Sequence, residues 1–121
     1  DIMALQRFHT SHKKLATVTA VSPPGRFGSL ELADDASVSH FVEKPSSKIN
    51  GGFFVLSPEV INNTITNDYS VWEADSLPLL AKNNQLAAFN HEGFWHPMDT
   101  LRDKYYLEEL WSSGSPPWKT W

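Results

Sequence analysis

The sequence has no cysteine among its 121 residues. Disulfides, thiolate nucleophiles and zinc sites built on cysteine are therefore excluded. The sequence also lacks an apolar run near the ~20 residues that span a bilayer, and no charged-then-apolar leader opens it. We expect a soluble, cytoplasmic protein with no membrane partner.

Positive charge is also scarce, since 10 lysines and arginines face 14 acidic residues and give a formal charge of −4. The cations are scattered, which argues against a nucleic-acid surface built by counterion release. The histidines show no zinc-site spacing either, because His9 and His12 lie three apart and nothing nearby completes a set. We expect no nucleic-acid partner, and any bound anion should be small.

The start of the chain combines a helix with a buried strand. Helical spacing relates the side chains of Ile2, Leu5, Phe8 and His12. Residues 15–21 (LATVTAV) are short and rich in β-branched side chains, as buried strands are. A helix followed at once by such a strand is the second half of a βαβ unit, whose first strand would precede Asp1. We therefore expect a chain cut from a longer protein.

The rest of the chain alternates extended and helical patterns. Extended patterns cover residues 28–32, 37–43, 48–56, 85–90 and 94–96, and a turn-prone stretch between the first two predicts a hairpin. Helical patterns cover a short segment to about Asn62, residues 72–80 and residues 101–111. This order predicts a mixed-sheet α/β fold.

Three details of the helices can be predicted. Ser57 before Pro58 has the pattern of an N-cap followed by a first-turn proline. Pro78 should limit or kink the helix over residues 72–80. The last helix carries one apolar stripe, which we expect in the core and which consists of Tyr106, Leu107, Leu110 and Trp111.

Asp99 lies between an aromatic stretch and the last helix, in GFWHPMDT (residues 93–100). In one interpretation it is the N-cap of that helix and contributes about 1 kcal/mol. In the other, Thr100 accepts a hydrogen bond from the N–H of Asp103, and Asp103 reaches back in a capping box. Asp99 would then be free to hold Mg²⁺, which prefers one or two carboxylates with phosphate oxygens. Spacing alone leaves both interpretations open.

Lys44 precedes a proline in the stretch Glu43-Lys44-Pro45. Proline ends the strand and restricts Lys44 to extended geometry, so its ammonium group can point past the sheet edge toward a phosphate. The alternative is a solvated lysine paired loosely with Glu43.

Glycines mark two further candidate sites. Gly51 and Gly52 interrupt an apolar strand, which indicates either a bulge or a close approach of a ligand to the backbone. Asn50 before them can hydrogen-bond sugar hydroxyls. Arg26 lies in a loop that ends at Gly28, where backbone amides can meet an anion, although a loop arginine is usually solvated.

The order of these motifs carries a family resemblance. PPGRFG, FVEKP, INGGFFVLSPEVI, GFWHPMDTLRDKYYLEELW and PPWKTW closely resemble the C-terminal half of the bacterial glucose-1-phosphate cytidylyltransferases, a branch of the sugar nucleotidyltransferases. The resemblance implies a partial mixed-sheet, Rossmann-like nucleotide-diphospho-sugar transferase fold without its N-terminal nucleotide-binding half. Residues 1–121 would be the sugar-phosphate-binding part, with a last helix and tail over residues 100–121.

The resemblance also implies an activity, namely CTP and α-D-glucose 1-phosphate giving CDP-glucose and pyrophosphate, for lipopolysaccharide O-antigen. Lys44 would hold the sugar phosphate, Glu43 would bond sugar hydroxyls, and Asp99 would be one of two aspartates that bind Mg²⁺. The substrate-contacting residues of the loop and of the glycine-containing strand would be Arg26, Gly28, Asn50, Gly51 and Gly52.

Two alternatives remain at this stage. The five tryptophans would suit a carbohydrate-binding module, although their dispersal along the chain favours core and interface packing. An assembly role would use the apolar surface left by a missing half, and we expect a homo-oligomer. We predict that these 121 residues alone do not transfer a nucleotide, because the family's glycine-rich loop and second metal aspartate do not occur in them.

Overall fold

The computed structural model describes residues 1–24, 29–32, 34–42 and 47–121. Within these ranges, no helix is both long and apolar enough to cross a membrane. A π-helical turn, Trp72–Ser76, precedes the third α-helix. The α-helices are α1 (Ile2–His12), α2 (Glu59–Thr64), α3 (Leu77–Lys82) and α4 (Leu101–Ser112), and the strands are β1 (Ala16–Val21), β2 (Ser29–Leu32), β3 (Val38–Val42), β4 (Ile49–Leu56) and β5 (Leu86–His91).

The chain divides into two compact units. The first unit comprises Asp1–Ala20 and Asn50–His91, and the second comprises Val21–Ile49 and Glu92–Trp121. The first unit carries the larger sheet and most of the helices, whereas the second carries a hairpin, helix α4 and the tail.

The sheet of the first unit has the strand order β4-β1-β5. Its central strand β1 is buried along most of its length, as predicted for residues 15–21. Hydrogen bonds from Ala16 N–H to the Gln85 carbonyl and from Ser57 N–H to the Leu15 carbonyl lie at one end of the sheet. The start of β1 therefore adjoins the start of β5 and the end of β4. Strands β1 and β5 run in the same direction and β4 runs against them, which confirms the predicted mixed sheet.

Helices α2 and α3 pack against this sheet around a small apolar core. The core residues Ala16, Val60 and Leu80 are at most 2% exposed. Pro78 lies in the first turn of α3, where a residue without an N–H leaves no hydrogen bond unmade. The sequence predicted that Pro78 limits or kinks a helix over residues 72–80. In the structure, the π-helical turn changes to α3 beside Pro78. Leu15, Trp72 and Leu86 cover the core from outside.

Helix α1 is fixed at both ends. The Asp1 carboxylate accepts a hydrogen bond from Ala4 N–H at 2.9 Å, and Lys13 ends the helix in the left-handed conformation. The Phe8 ring packs on Phe89 of β5, with 5.5 Å between ring centroids. The predicted helical spacing is confirmed, and its apolar face rests on β5.

Two histidines of α1 meet one buried threonine of β1. Thr17 is 0% exposed, and its hydroxyl oxygen lies 2.8 Å from His9 Nδ1 and 2.6 Å from His12 Nε2. His9 Nε2 lies 3.2 Å from the hydroxyl of Ser57. The sequence predicted satisfied or surface histidines, and these two are satisfied by hydroxyl groups.

The proton positions in this cluster follow from one backbone contact. Lys14 N–H donates to His12 Nδ1 at 2.9 Å, so that nitrogen carries no proton and His12 donates through Nε2 to Thr17. The buried Thr17 hydroxyl then satisfies its own hydrogen by donating to His9 Nδ1, and His9 donates through Nε2 to Ser57. Both imidazoles are neutral in this arrangement, and His9 is a donor rather than a base toward Ser57.

The predicted N-cap of α2 is wrong. Ser57 was predicted to cap this helix, but the helix is flanked by Pro58 and has no side-chain cap. The Ser57 hydroxyl is instead within hydrogen-bond distance of His9. The tertiary contact therefore replaces the local one.

The hairpin of the second unit confirms another prediction. Strands β2 and β3 pair antiparallel, with Ser29 opposite Val42 and an irregularity beside Leu32. The turn between them places Ala36 at a positive φ of 64°.

Residues 94–96 were wrongly predicted as a strand. Their rings pack against the tail and against α4: Phe94 lies 5.6 Å from Trp118, and His96 lies 4.8 Å from Tyr106, between ring centroids. Pro97 supplies no N–H for a ladder after them. These residues belong to no strand among the described residues.

The apolar stripe of α4 was expected in the core, and this was also wrong. No residue of α4 is buried among the described residues, and Trp111 is 53% exposed with the Lys119 ammonium 5.5 Å from its ring centroid. The spacing correctly predicted an apolar face on α4. It could not predict that this face is exposed or only partly buried among the described residues.

We predict that Thr17→Val destabilises the protein by about 1–3 kcal/mol, because a histidine donor and a histidine acceptor each lose their partner. Thr19→Val is the matched control, since Thr19 lies on the same strand, is 7% exposed, and its hydroxyl has no partner among the described residues. It should be neutral or slightly stabilising. Urea unfolding followed by circular dichroism measures both, and equal effects would contradict the role given to Thr17.

We also predict that stability decreases as the pH falls below about 6.5. Burial, with a smaller effect of the neighbouring His12, lowers the pKa of His9 below its usual 6.5. The unfolded chain therefore binds more protons than the folded one in the window from 6.5 down to the folded pKa. Urea midpoints at about pH 7.5 and 5.5 should differ less in His9→Gln, which removes the titrating group. An equal pH dependence in both proteins would rule this out.

Candidate functional site

The predicted site residues fall into three groups. Arg26, Gly28, Glu43 and Lys44 lie outside the described residues. Asn50, Gly51 and Gly52 are consecutive in β4 of the first unit, and Asp99 lies in the second unit just before α4.

Helix α4 begins with the capping box that the sequence suggested. Thr100 is the N-cap, and its hydroxyl oxygen accepts from Asp103 N–H at 3.2 Å. The Asp103 carboxylate reaches back to accept from Thr100 N–H at 3.0 Å. The interpretation in which Asp99 caps the helix is therefore wrong.

Both oxygens of the Asp103 carboxylate accept hydrogen bonds. Oδ2 accepts from the Thr100 hydroxyl at 2.8 Å and from Asp99 N–H at 3.3 Å, in addition to Thr100 N–H. Oδ1 accepts from His96 Nε2 at 3.0 Å, so His96 carries its proton on that nitrogen. The Thr100 hydroxyl first, then His96 and the two amides, hold the pKa of Asp103 below its usual 3.8. Asp103 is thus an ionised group in the first helical turn, where the helix dipole favours negative charge.

Asp99 has the opposite character. Its side chain is exposed and makes no hydrogen bond or ion pair with the described residues, while its backbone N–H is held by Asp103. An unengaged carboxylate on a fixed backbone is a donor that fits Mg²⁺, which takes one or two carboxylates and completes its shell with phosphate oxygens and water. The described residues contain no group of three or more histidines or acids around one point. Among the described residues, Asp99 is thus a single unengaged carboxylate.

The Asn50-Gly51-Gly52 segment makes a local turn within β4. Asn50 Oδ1 accepts from Gly52 N–H at 2.8 Å. Gly52 has a positive φ of 81°, a conformation that favours glycine, and a Cβ added there would meet no atom within 4 Å. Backbone geometry thus explains Gly52, and the open space beside it leaves room for a ligand.

The tryptophans do not form a sugar-stacking platform in the described residues. Trp72 packs edge-on against Phe54 in the first unit, at 5.5 Å between centroids. In the second unit, Trp118 packs on Phe94, and Lys119 lies over Trp111. The carbohydrate-binding module therefore gains no support from their arrangement.

Sequence reasoning missed His96 as a partner of Asp103. The two residues lie seven apart and no spacing rule relates them, because the segment that joins them is partly outside the helix. The pair His9 and His12 did carry a signal, their spacing on one helix, but Thr17 as the shared partner required the packing of α1 on β1.

Comparison with known proteins identifies the family. The nucleotidyl transferase family profile matches residues 1–108. Glucose-1-phosphate cytidylyltransferases of Salmonella typhi and Salmonella typhimurium are each 55% identical over the whole chain, and a probable glucose-1-phosphate cytidylyltransferase of Bacillus subtilis is 36% identical.

Solved structures share the fold. A putative glucose-1-phosphate thymidylyltransferase from Bacillus anthracis, in complex with a sucrose, has a TM-score of 0.57 and 20% identity over 91% of this chain. HddC from Yersinia pseudotuberculosis has a TM-score of 0.54 and 24% identity over 88% of this chain. These similarities confirm the predicted mixed-sheet α/β class.

The chain spans about half the length of the relatives it matches, 48% in each of the three cytidylyltransferases and in both solved structures. This share does not say which half is covered, so the C-terminal placement stays a prediction. The family match extends over most of the chain and agrees with the motifs. The chain therefore belongs to the nucleotidyl transferase family.

Proposed function

We propose that this chain is the sugar-phosphate-binding part of a glucose-1-phosphate cytidylyltransferase, which converts CTP and α-D-glucose 1-phosphate into CDP-glucose and pyrophosphate. The observation that carries the proposal is the 55% identity to the Salmonella enzymes across the whole chain. Mannose-1-phosphate guanyltransferases reach 34% and 36% identity in yeast and Xenopus laevis, over 85% and 84% of the chain. The higher identity favours the cytidylyl branch and glucose 1-phosphate.

The proposed reaction is a substitution at phosphorus. An oxygen of the sugar phosphate forms a bond to the α-phosphorus of CTP, the bond to the β-phosphate oxygen breaks, and pyrophosphate leaves. Such transfers need few covalent steps from the protein and depend on positioning and on stabilising charge. The residues of this chain therefore act by binding.

Each predicted residue has a binding role in this proposal. Lys44 holds the sugar phosphate with its ammonium group, and Glu43 accepts hydrogen bonds from sugar hydroxyls. Arg26 and Gly28 contribute the GRFG loop to substrate contact. Asn50, Gly51 and Gly52 offer amide groups to the glucose, and the open space beside Gly52 supports that role.

Asp99 would hold Mg²⁺ together with a second carboxylate outside this chain. When bound, the ion neutralises charge on the triphosphate and on the departing pyrophosphate. The exposed Asp99 carboxylate, left unengaged because Asp103 caps the helix, supports this assignment.

The full-length enzyme should form CDP-glucose from CTP and glucose 1-phosphate. Lys44→Ala should raise the KM for glucose 1-phosphate roughly 10- to 100-fold, because one charged hydrogen bond to the phosphate is lost, and change the KM for CTP much less. Lys48→Ala is the matched control, since Lys48 lies four residues on and pairs at 3.6 Å with Glu92 on the surface. The rate of pyrophosphate release measures the activity of the wild-type enzyme, of Lys44→Ala and of Lys48→Ala.

Two outcomes are informative in different ways. A wild-type enzyme that forms no CDP-glucose contradicts the proposed function. A Lys44→Ala enzyme with the kinetics of Lys48→Ala contradicts only the role of Lys44. The 121-residue chain alone should form no CDP-glucose.

Homo-oligomer formation is part of the proposal. Large apolar side chains of the second unit are exposed, and such patches favour association. They include Met98, Leu101, Trp111 and Trp121, which are 53–82% exposed. Light scattering of the full-length enzyme should give a mass above that of one chain, and a monomer at high concentration would contradict this.

A further inference from the structure

We infer that Asp103 is a positioning residue for Asp99, and that His96 in turn fixes the carboxylate of Asp103. The inference rests on the proposed function, in which Asp99 holds the divalent cation. It concerns two residues that touch neither the metal nor the substrate.

The contacts of Asp103 exceed the needs of a helix cap. A capping box requires one hydrogen bond from the N-cap amide, here Thr100 N–H at 3.0 Å. The same oxygen also accepts from Asp99 N–H at 3.3 Å. Two consecutive amides therefore converge on one oxygen, and the Asp99 backbone, whose φ and ψ bonds lie between these amides, is held at both ends.

This arrangement restrains the backbone of Asp99 without engaging its side chain. Rotation of the Asp99 φ or ψ angle would move one of the two amides away from Asp103. The Asp99 carboxylate has no partner among the described residues and so stays available as a ligand. A ligand on a restrained backbone loses less conformational entropy when it binds a metal.

His96 determines how the Asp103 carboxylate is oriented. Its Nε2–H donates to Oδ1 at 3.0 Å, so Oδ2 is directed toward the amides. The His96 side chain is only 14% exposed, and its ring packs near Phe94, at 6.4 Å, and Tyr106, at 4.8 Å, between ring centroids. Ring packing thus restrains His96, and His96 orients the Asp103 carboxylate. That carboxylate in turn restrains the Asp99 backbone. Partners behind a metal ligand commonly change metal affinity when they are removed.

The experiment measures Mn²⁺ binding to the full-length enzyme by electron paramagnetic resonance, with CTP present and no sugar phosphate, so that no turnover occurs. Asp103→Ala should weaken Mn²⁺ affinity about tenfold. His96→Phe, which keeps an aromatic ring but has no N–H, should weaken it in the same direction. Asp103→Glu should recover most of the affinity, because glutamate at this position also completes a capping box.

Glu108→Gly is the matched control for helix stability. Glu108 lies on the exposed face of α4, paired at 3.5 Å with Lys104, and glycine there weakens the helix to an extent comparable with loss of a cap. Thermal unfolding without metal verifies that Asp103→Ala and Glu108→Gly are similarly destabilised. Only Asp103→Ala should then lose Mn²⁺ affinity.

The Asp99→Asn variant distinguishes failure of this inference from failure of the proposed function. Unchanged Mn²⁺ affinity in Asp99→Asn would overturn the proposed metal role of Asp99. A clear loss in Asp99→Asn, with no larger loss in Asp103→Ala than in Glu108→Gly, would overturn the positioning role alone. Unchanged affinity in His96→Phe would remove His96 from that role.

Discussion

The requirement of polar groups for hydrogen-bond partners arranges a helix in each unit of the protein. In the first unit, the buried Thr17 hydroxyl is both donor and acceptor, and it joins two histidines of α1 to the central strand. In the second unit, the Asp103 carboxylate accepts hydrogen bonds only, and donors from His96, Thr100 and Asp99 gather around it. A single side chain thus fixes a helix in each unit. The direction of each hydrogen bond follows from which atoms can carry a proton.

The same requirement separates the two aspartates near the start of α4. Both oxygens of Asp103 already accept hydrogen bonds, so this carboxylate is a poor candidate for a further ligand. Asp99 lies one residue before the cap and has an unengaged side chain. Their roles differ because the capping box needs its acid at the third position of the helix, and the sequence places Asp103 there. In the proposed function, metal binding and helix capping would therefore use neighbouring carboxylates without competing for either.

Local patterns predicted what depends on neighbours in the sequence. The spacing of Thr100 and Asp103 predicted the capping box, and β-branched composition predicted β1, because both depend on backbone geometry within a few residues. The predictions that failed were decided by distant contacts. Residues 94–96 are extended in pattern, yet the structure assigns them to no strand, and Phe94 and His96 pack against Trp118 and Tyr106. Ser57 fits a cap, yet His9 from α1 lies against its hydroxyl. Among the candidate site residues, spacing indicated Asp99, whereas the contact of His96 with Asp103 follows no spacing rule.

The glycine-containing strand shows how a structural explanation and a binding role can coexist. Gly52 has a left-handed φ that favours glycine, and Asn50 Oδ1 stabilises that turn by accepting from its N–H. This hydrogen bond uses the oxygen of the Asn50 amide and leaves the NH₂ donors directed elsewhere. A turn that orients a side-chain amide beside open space is suited to hydroxyl groups, because a sugar hydroxyl can accept from that amide without disturbing the backbone. In the proposed function, the conformational constraint that explains the glycine would therefore also determine which atoms of Asn50 the ligand meets.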